Sequence, residues 1–356
     1  MHEPRPAATE AFRGIALAIA SAALFGASTP LAKALVGAVD PLWLAGLLYA
    51  GSGLGLTLVL LIRVARQGLA TLVLQRGDLR WLAAGIVCGG IFAPVLFTFG
   101  LRQTSGAAAS LLGNLENVMT VALAWFVFRE HRSARVVIGM MAIVAACFVL
   151  TWQTSAGTSA AGAVLIALAC FGWALDNNLT RKVVASDATL IAALKGCAGG
   201  TVNLTLAAFL VERLPSANTV VAAGVVGFFG YGVSLVLFVL ALRELGAART
   251  GAYFATAPFI GVATAFAFLG ERPDAAFFIA LPLMALGVWL HATERHSHVH
   301  AHERLIHDHP HRHDAHHRHE HAFPWDGTEP HRHEHVHEPM IHSHRHFPDL
   351  HHRHEH

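Results

Sequence analysis

Two stretches of this chain, 141 residues apart, carry the same pattern. Phe97-Thr-Phe-Gly-Leu-Arg102 is answered by Phe238-Val-Leu-Ala-Leu-Arg243, and Phe128-Arg-Glu130 by Leu269-Gly-Glu271. Phe97, Leu101, Arg102 and Glu130 thus recur as Phe238, Leu242, Arg243 and Glu271 with no gap between them. The repeat lies inside long apolar runs, and that combination restricts the fold severely. In hydrocarbon each segment must satisfy its own backbone polar groups, which leaves helices or closed barrels. A run of about 20 apolar residues, enough to cross about 30 Å, is the helical case.

Composition agrees. The 356 residues are 54% hydrophobic and 13% charged, against about 25% charged in a soluble domain. Ten candidate spans follow, near 12–36, 41–62, 81–101, 105–128 and 134–153, then 160–180, 188–211, 218–242, 247–269 and 274–292. The expected fold class is an all-α polytopic membrane protein. The basic stretch from Arg63 to Arg80 is expected on the membrane surface. The first span follows Arg5 and Arg13 like a signal peptide, but its length and its continuation into further spans mark it as an uncleaved helix.

Lys and Arg favour cytoplasmic loops. With the N-terminus inside, thirteen of them face the cytoplasm up to the tenth span, and four (Lys33, Arg102, Arg213 and Arg272) face outward. Both termini are therefore expected in the cytoplasm. Five spans per half is an odd number, so the second repeat is inverted relative to the first. The domains expected are an N-terminal segment, 1–11, two five-helix repeats, 12–153 and 154–293, and a tail, 294–356. Internal duplication of this kind is typical of transporters that place their solute between the repeats. Cys88, Cys147, Cys170 and Cys197 all fall in spans and read as small packing residues, not a disulfide framework.

Several motifs resemble the EamA-type transporters of the drug/metabolite transporter superfamily. Leu24-Phe-Gly-Ala-Ser-Thr-Pro-Leu-Ala-Lys33 looks like the family's first-span motif. Cys170-Phe-Gly-Trp-Ala-Leu-Asp-Asn-Asn-Leu-Thr-Arg-Lys182 looks like its repeat, and the fourth and ninth spans each run into a glutamate, Glu130 and Glu271. The resemblance covers roughly residues 12–292. It implies ten helices in two inverted five-helix repeats that move a solute across the cytoplasmic (inner) membrane.

Charge at membrane depth costs at least about 2.5–3.5 kcal/mol per residue, so it marks function or a buried partner. Glu116, in Asn114-Leu-Glu-Asn117, is one such charge. Asp176, in Asp176-Asn177-Asn178, is another, with Arg181 and Lys182 about a turn away. By repeat alignment Ser28-Thr29-Pro30 is the counterpart of Asp176, and Pro30 frees a backbone carbonyl there. In the ninth span Tyr253, Thr256 and Pro258 are candidates. Ala257 aligns with Glu116, so the symmetry is broken where the charge is. Glu116, Asn117, Asn114, Asp176, Asn177, Asn178, Ser28, Thr29, Tyr253 and Thr256 are the expected substrate or coupling residues. Trp43, Trp173 and Phe25 offer aromatic walls or core packing. Arg102, Arg243, Glu130 and Glu271 sit at helix ends, where they cap and anchor or latch two gates. Lys195 and His291 are read as interfacial, Lys195 by snorkelling.

Residues 296–356 hold 23 of the 26 histidines. They form ladders: His296, His298, His300, His302; His307, His309, His311, His313; His317, His319, His321; His331, His333, His335, His337; His342, His344, His346; and His352, His354, His356. With few apolar residues the tail is expected to be disordered without a ligand. Imidazole without thiolate suits Zn, Ni, Co or Cu. The tail would then gather or sense metal cargo, buffer metal beside an unrelated transporter, or titrate as a pH-responsive polymer near about pH 6.5.

The membrane body itself brings no histidine near mid-depth, and a neutral or zwitterionic metabolite suits its asparagines and carboxylates better. Two functions remain open: secondary transport, with export preferred, of a small organic metabolite, and export of a divalent transition metal loaded by the tail. A non-transporting membrane metal sensor or store is a third class. No nucleophile–base constellation or phosphate-binding glycine loop is present, so no enzyme and no required cofactor are expected. The expected partners are the lipid bilayer, a small-molecule solute and tail-bound metal ions, with no nucleic acid; a homodimer is left open.

Overall fold

The computed structural model describes residues 8–68, 76–128, 134–152, 159–180, 187–292, 296–302, 305–311, 331–337 and 340–346. The body is helical throughout. Among the described residues seven helical segments are long and apolar enough to cross a membrane, with shorter apolar helices at Ala257–Leu269 and Ala275–Leu290. In chain order the body contains α1 (Ala8–Val36), α2 (Pro41–Gln67), α3 (Leu79–Gly85), α4 (Ala93–Arg102), α5 (Gly106–Leu112), α6 (Leu115–Phe128) and α7 (Ala134–Trp152). It continues with α8 (Ala160–Thr180), α9 (Ala188–Leu210), α10 (Ala217–Gly227), α11 (Ser234–Phe254), α12 (Ala257–Leu269) and α13 (Ala275–Ala292).

The duplication is visible as matched irregularities. A π-helical turn, Ile86–Phe92, joins α3 to α4, and another, Phe228–Val233, joins α10 to α11. Residues 86–92 shifted by 141 become 227–233, so the two turns occupy equivalent places. π turns are rare and cluster at functional sites, because the wider ring releases carbonyls from the regular ladder. The fourth span is also not one helix. It breaks at Gly113–Asn114 between α5 and α6, where Asn114 and Asn117 donate their N–H groups to carbonyls three residues back. An equivalent break at Ala255–Thr256 precedes α12, whose first turn carries Pro258.

The structure differs from expectation at two boundaries. α2 runs on to Gln67, so Arg63 and Arg66 extend the helix instead of lying flat, and residues 69–75 fall outside the described set. Residues 244–246 keep a helical backbone within α11, where a turn was expected. In the tail, the described histidines lie in β1 (His296–His302), β2 (Leu305–His311), β3 (His331–His337) and β4 (Met340–His346). β1 pairs antiparallel with β4, placing His298 opposite His344, and β2 with β3, placing His309 opposite His333. Strict alternation has the period of a strand, and this pairing expresses that period. The ladders at 317–321 and 352–356 and residue His313 lie outside the described residues.

Between the halves, packing is backbone against backbone. A Cβ added to Gly53 of α2 would strike the Cys197 backbone of α9, and one on Gly200 would strike Ala50. On the neighbouring face, Gly227 allows contact with the Leu48 carbonyl. Small residues are how helices approach closely in lipid, where no hydrophobic force drives them together. Gly53→Leu is expected to destabilise the body by about 1–3 kcal/mol or more, since this backbone contact cannot yield. A lowered melting temperature of the detergent-solubilised chain would show it.

Candidate functional site

Pro94 opens α4 at its second position, and the π turn before it releases the Gly89 carbonyl. Tyr49 of α2 donates its hydroxyl to that carbonyl at 2.8 Å. Trp173 of α8 donates its indole N–H to the same carbonyl at 3.1 Å and to the Tyr49 hydroxyl at 3.0 Å. One freed backbone acceptor therefore joins both repeats. From this knot a chain of rings extends across the bundle. Tyr49 and Tyr231 are 6.0 Å apart, Tyr231 and Phe25 6.1 Å, and Phe25 and Phe254 5.5 Å, by ring centroids. Trp173 also packs on Phe97 at 5.2 Å. Tyr231 belongs to the second π turn, so both turns contribute to one array.

Asp176 sits beside this array. Its carboxylate lies in a groove made by Gly85 and Gly89, where a Cβ on either glycine would collide with it. Lys195 of α9 donates to Asp176 Oδ1 at 2.6 Å and to Thr180 Oγ1 at 2.7 Å, and Thr180 donates to the same Oδ1 at 3.1 Å. This corrects the interfacial reading of Lys195. The ammonium turns inward to a carboxylate because a buried pair with satisfied hydrogen bonds is cheaper than either charge alone. Arg181 and Lys182, the partners expected for Asp176, lie outside the described residues.

Glu116 opens α6 just past the break, half-buried, and accepts one hydrogen bond from the Asn177 amide at 2.8 Å. No cation contacts it among the described residues. Asn114 is buried at 2% exposure with an unpartnered amide nitrogen, whereas Asn117 is exposed. Asn178 donates to the Thr120 carbonyl and ties α8 to α6. Ser28 is buried and donates to the Phe25 carbonyl at 2.6 Å; Thr29 is half-buried beside it. Thr256 donates to the Tyr253 carbonyl at 2.7 Å, within the second break. The structure thus brings Glu116, Asn177 and Asp176 together near the ring array. Tyr253 and Thr256 belong to the opposite break. At Ala257, the position equivalent to Glu116, the carbonyl lies where a Cβ on Gly26 would be, so close packing with α1 takes the place of a charge.

At one end of the bundle Glu271 accepts from the N–H groups of Gly106 and Ala107, at 2.6 and 2.9 Å. Lys33 donates to the Leu101 carbonyl at 2.8 Å. Residues of both repeats therefore cap the turn between α4 and α5. Arg102 is exposed; Glu130 and the side chain of Arg243 lie outside the described residues. At the other end Arg63 pairs with Asp187 at 2.9 Å, and Asp187 caps α9 through the Leu190 N–H. Burial would raise the Asp187 pKa, but the hydrogen bond from Arg63 and the cap outweigh it and the net shift is downward.

Two crevices lie away from Glu116 and Asp176. One, about 260 Å³, is lined by Thr57, Leu60, Leu190, Cys197 and neighbours and is apolar. The other, about 110 Å³, is beside Glu271 and Arg272. The first lacks the convergent polar groups a solute site needs, and the central cluster has them.

Apolar helices in duplicate, broken at matched positions around buried carboxylates and rings, define a polytopic membrane transporter. A family model described as the EamA-like transporter family matches residues 12–152 and again 160–293. The chain belongs to that family, within the drug/metabolite transporter superfamily. An uncharacterized transporter of Methanothermobacter thermautotrophicus strain Delta H is 27% identical over 288 residues, covering 76% of this chain and 84% of that one. The uncharacterized transporter YyaM of Bacillus subtilis strain 168 is 25% identical over 276 residues, covering 74% and 88%. One solved crystal structure superimposes with a TM-score of 0.58 at 18% identity, over 80% of this chain and 95% of that one, and shares the fold.

Proposed function

We propose that this protein is a secondary transporter that moves a small organic metabolite by alternating access, in the direction of export. Ten spans form two inverted five-helix repeats, 12–153 and 154–293, in the inner membrane. Residues 1–11 and the tail, 294–356, face the cytoplasm. The observation that carries the reading is Glu116: an intramembrane carboxylate with a single amide partner among the described residues, at a place where the repeat symmetry is broken. Glu116, Asn177 and Asp176 hold solute or proton, with Asn114, Asn117, Asn178, Ser28, Thr29, Tyr253 and Thr256 around them. Glu271 and Arg102 at one gate, and Glu130 and Arg243 at the other, fasten helix ends. Glycine-lined contacts between the halves suit rocking of one repeat on the other.

The histidine ladders favour a second reading, a divalent metal exporter whose tail loads or senses Zn, Ni, Co or Cu. The spans carry Glu116, Asp176 and several asparagines with no histidine near mid-depth, a lining that suits a small organic solute better, so the organic solute is preferred. The test is flux in proteoliposomes carrying the full chain or a chain ending at residue 295, with a labelled metabolite mixture and with Zn or Ni. Organic flux is expected in both, with no metal flux in either. Metal flux that falls when the tail is removed would establish the second reading instead.

A further inference from the structure

We propose that the tail folds around divalent transition-metal ions as two histidine ribbons, each ion held by histidines of two opposite strands and not by a single His-x-His ladder. The inference concerns Arg295–Pro348, a compact unit of its own, and holds whichever solute the helical body moves. It rests on register. β1 and β4 pair so that His296 stands opposite His346, His298 opposite His344 and His300 opposite His342. β2 and β3 pair so that His307 stands opposite His335, His309 opposite His333 and His311 opposite His331. The two ribbons share no strand, yet each matches histidine to histidine at three successive alternate positions. A slip of one residue in either pairing would set every one of these histidines opposite another residue type. Residues directly opposite in an antiparallel pair share a face, with Cβ atoms about 4.5–5.5 Å apart. The same face recurs at every second residue, roughly 6.5–7 Å further on.

These ribbons need a staple. An isolated pair of strands is at best marginally stable in water. The alternate face supplies no core. In β1–β4 it carries Ser297 opposite Arg345, Val299 opposite Ser343 and Ala301 opposite Ile341. In β2–β3 it carries one apolar pair, Ile306 with Val336, and then Pro310 opposite Arg332. Between them stands Asp308 opposite Glu334, and like charges in that relation oppose pairing. An ion bound across the strands supplies what the apolar face does not. Two successive histidine pairs offer four imidazoles, the number a tetrahedral Zn site takes, and imidazole also suits Ni, Co and Cu. The ligand set is complete only when the strands pair, so binding the ion and folding the ribbon are one event.

The experiment titrates Zn, and separately Ni, into the full chain in detergent by calorimetry, with Mg as the oxygen-seeking control. Amide hydrogen exchange of tail peptides is followed alongside. Zn is expected to slow exchange in all four strands, a chelator to reverse it, and Mg to do nothing. Strand-wise variants then separate ribbons from single ladders. Alanine replaces His307, His309 and His311 in β2, His331, His333 and His335 in β3, or His342, His344 and His346 in β4. The β2 variant, the β3 variant and the combined β2 and β3 variant are expected to lose the same ions, with affinity there falling at least about a hundredfold. All three keep the Zn-dependent protection of β1 and β4. The combined β2 and β4 variant is expected to lose both ribbons. The melting temperature of the helical body should be unchanged throughout, which keeps a general loss of fold from imitating these results. Losses that add strand by strand, leaving the β2 and β3 variant as impaired as the β2 and β4 variant, overturn the proposal in favour of independent ladders. Strands protected equally with and without metal, or a Zn isotherm unchanged in the β2 and β3 variant, overturn it as well.

Discussion

Replacing Lys195 with methionine is expected to cost the folded body about 3–5 kcal/mol, the usual penalty for stranding one member of a buried ion pair. Asp176 would keep only the Thr180 hydroxyl, inside a groove of Gly85 and Gly89 that leaves no room for compensating side chains. The double variant Asp176→Asn, Lys195→Met is expected to recover most of that loss. A neutral amide still accepts from Thr180, and replacing both charges of a buried pair is commonly near neutral. Melting of the solubilised protein measures both. A single variant as stable as the parent, or a double variant no better than the single, would show that the pair does not anchor α8 to α9. Flux through the recovered double variant then decides the role of Asp176. Normal transport would make the pair structural and leave coupling to Glu116.

Glu116→Gln should be the more damaging change for transport. The variant keeps the shape and the Asn177 hydrogen bond and removes the charge. If Glu116 binds solute or carries the coupled proton, net flux in proteoliposomes falls by about a hundredfold, on the scale of losing a charged contact of about 2.7 kcal/mol. Whatever exchange survives loses its dependence on pH. Normal flux with an unchanged pH profile would sink the coupling role. The two variants separate stability from transport: the lysine change acts mainly on the fold and the glutamate change on the function.

Much of this was legible in the residue order. The spans follow from hydropathy, which is local. Glu116 stood out because its repeat partner is Ala257, and the structure shows that partner position filled by contact with Gly26. The aromatic candidates Trp173 and Phe25 were visible as residues but not as an array, and Tyr49 and Tyr231 went unremarked. A ring contact depends on which helix faces meet, and no periodicity records that. The π turns were also unforeseen. Gly89-Gly90 and Gly230 hint at irregularity, but a glycine pair is equally common in tight packing.

The sequence alone determined that this chain crosses a membrane repeatedly, that its halves are copies, and that the copies differ at two carboxylates, Glu116 and Asp176. Those properties rest on transfer free energy and spacing, which are additive along a chain. Only the tertiary structure decided that Lys195 turns inward to Asp176, that Gly89 gives its carbonyl to Tyr49 and Trp173, and that Glu116 is left with an amide alone among the described residues. Each of these is a competition among several polar groups for a few partners in a medium without water. The winner is set by which atoms the packed helices bring within about 3 Å.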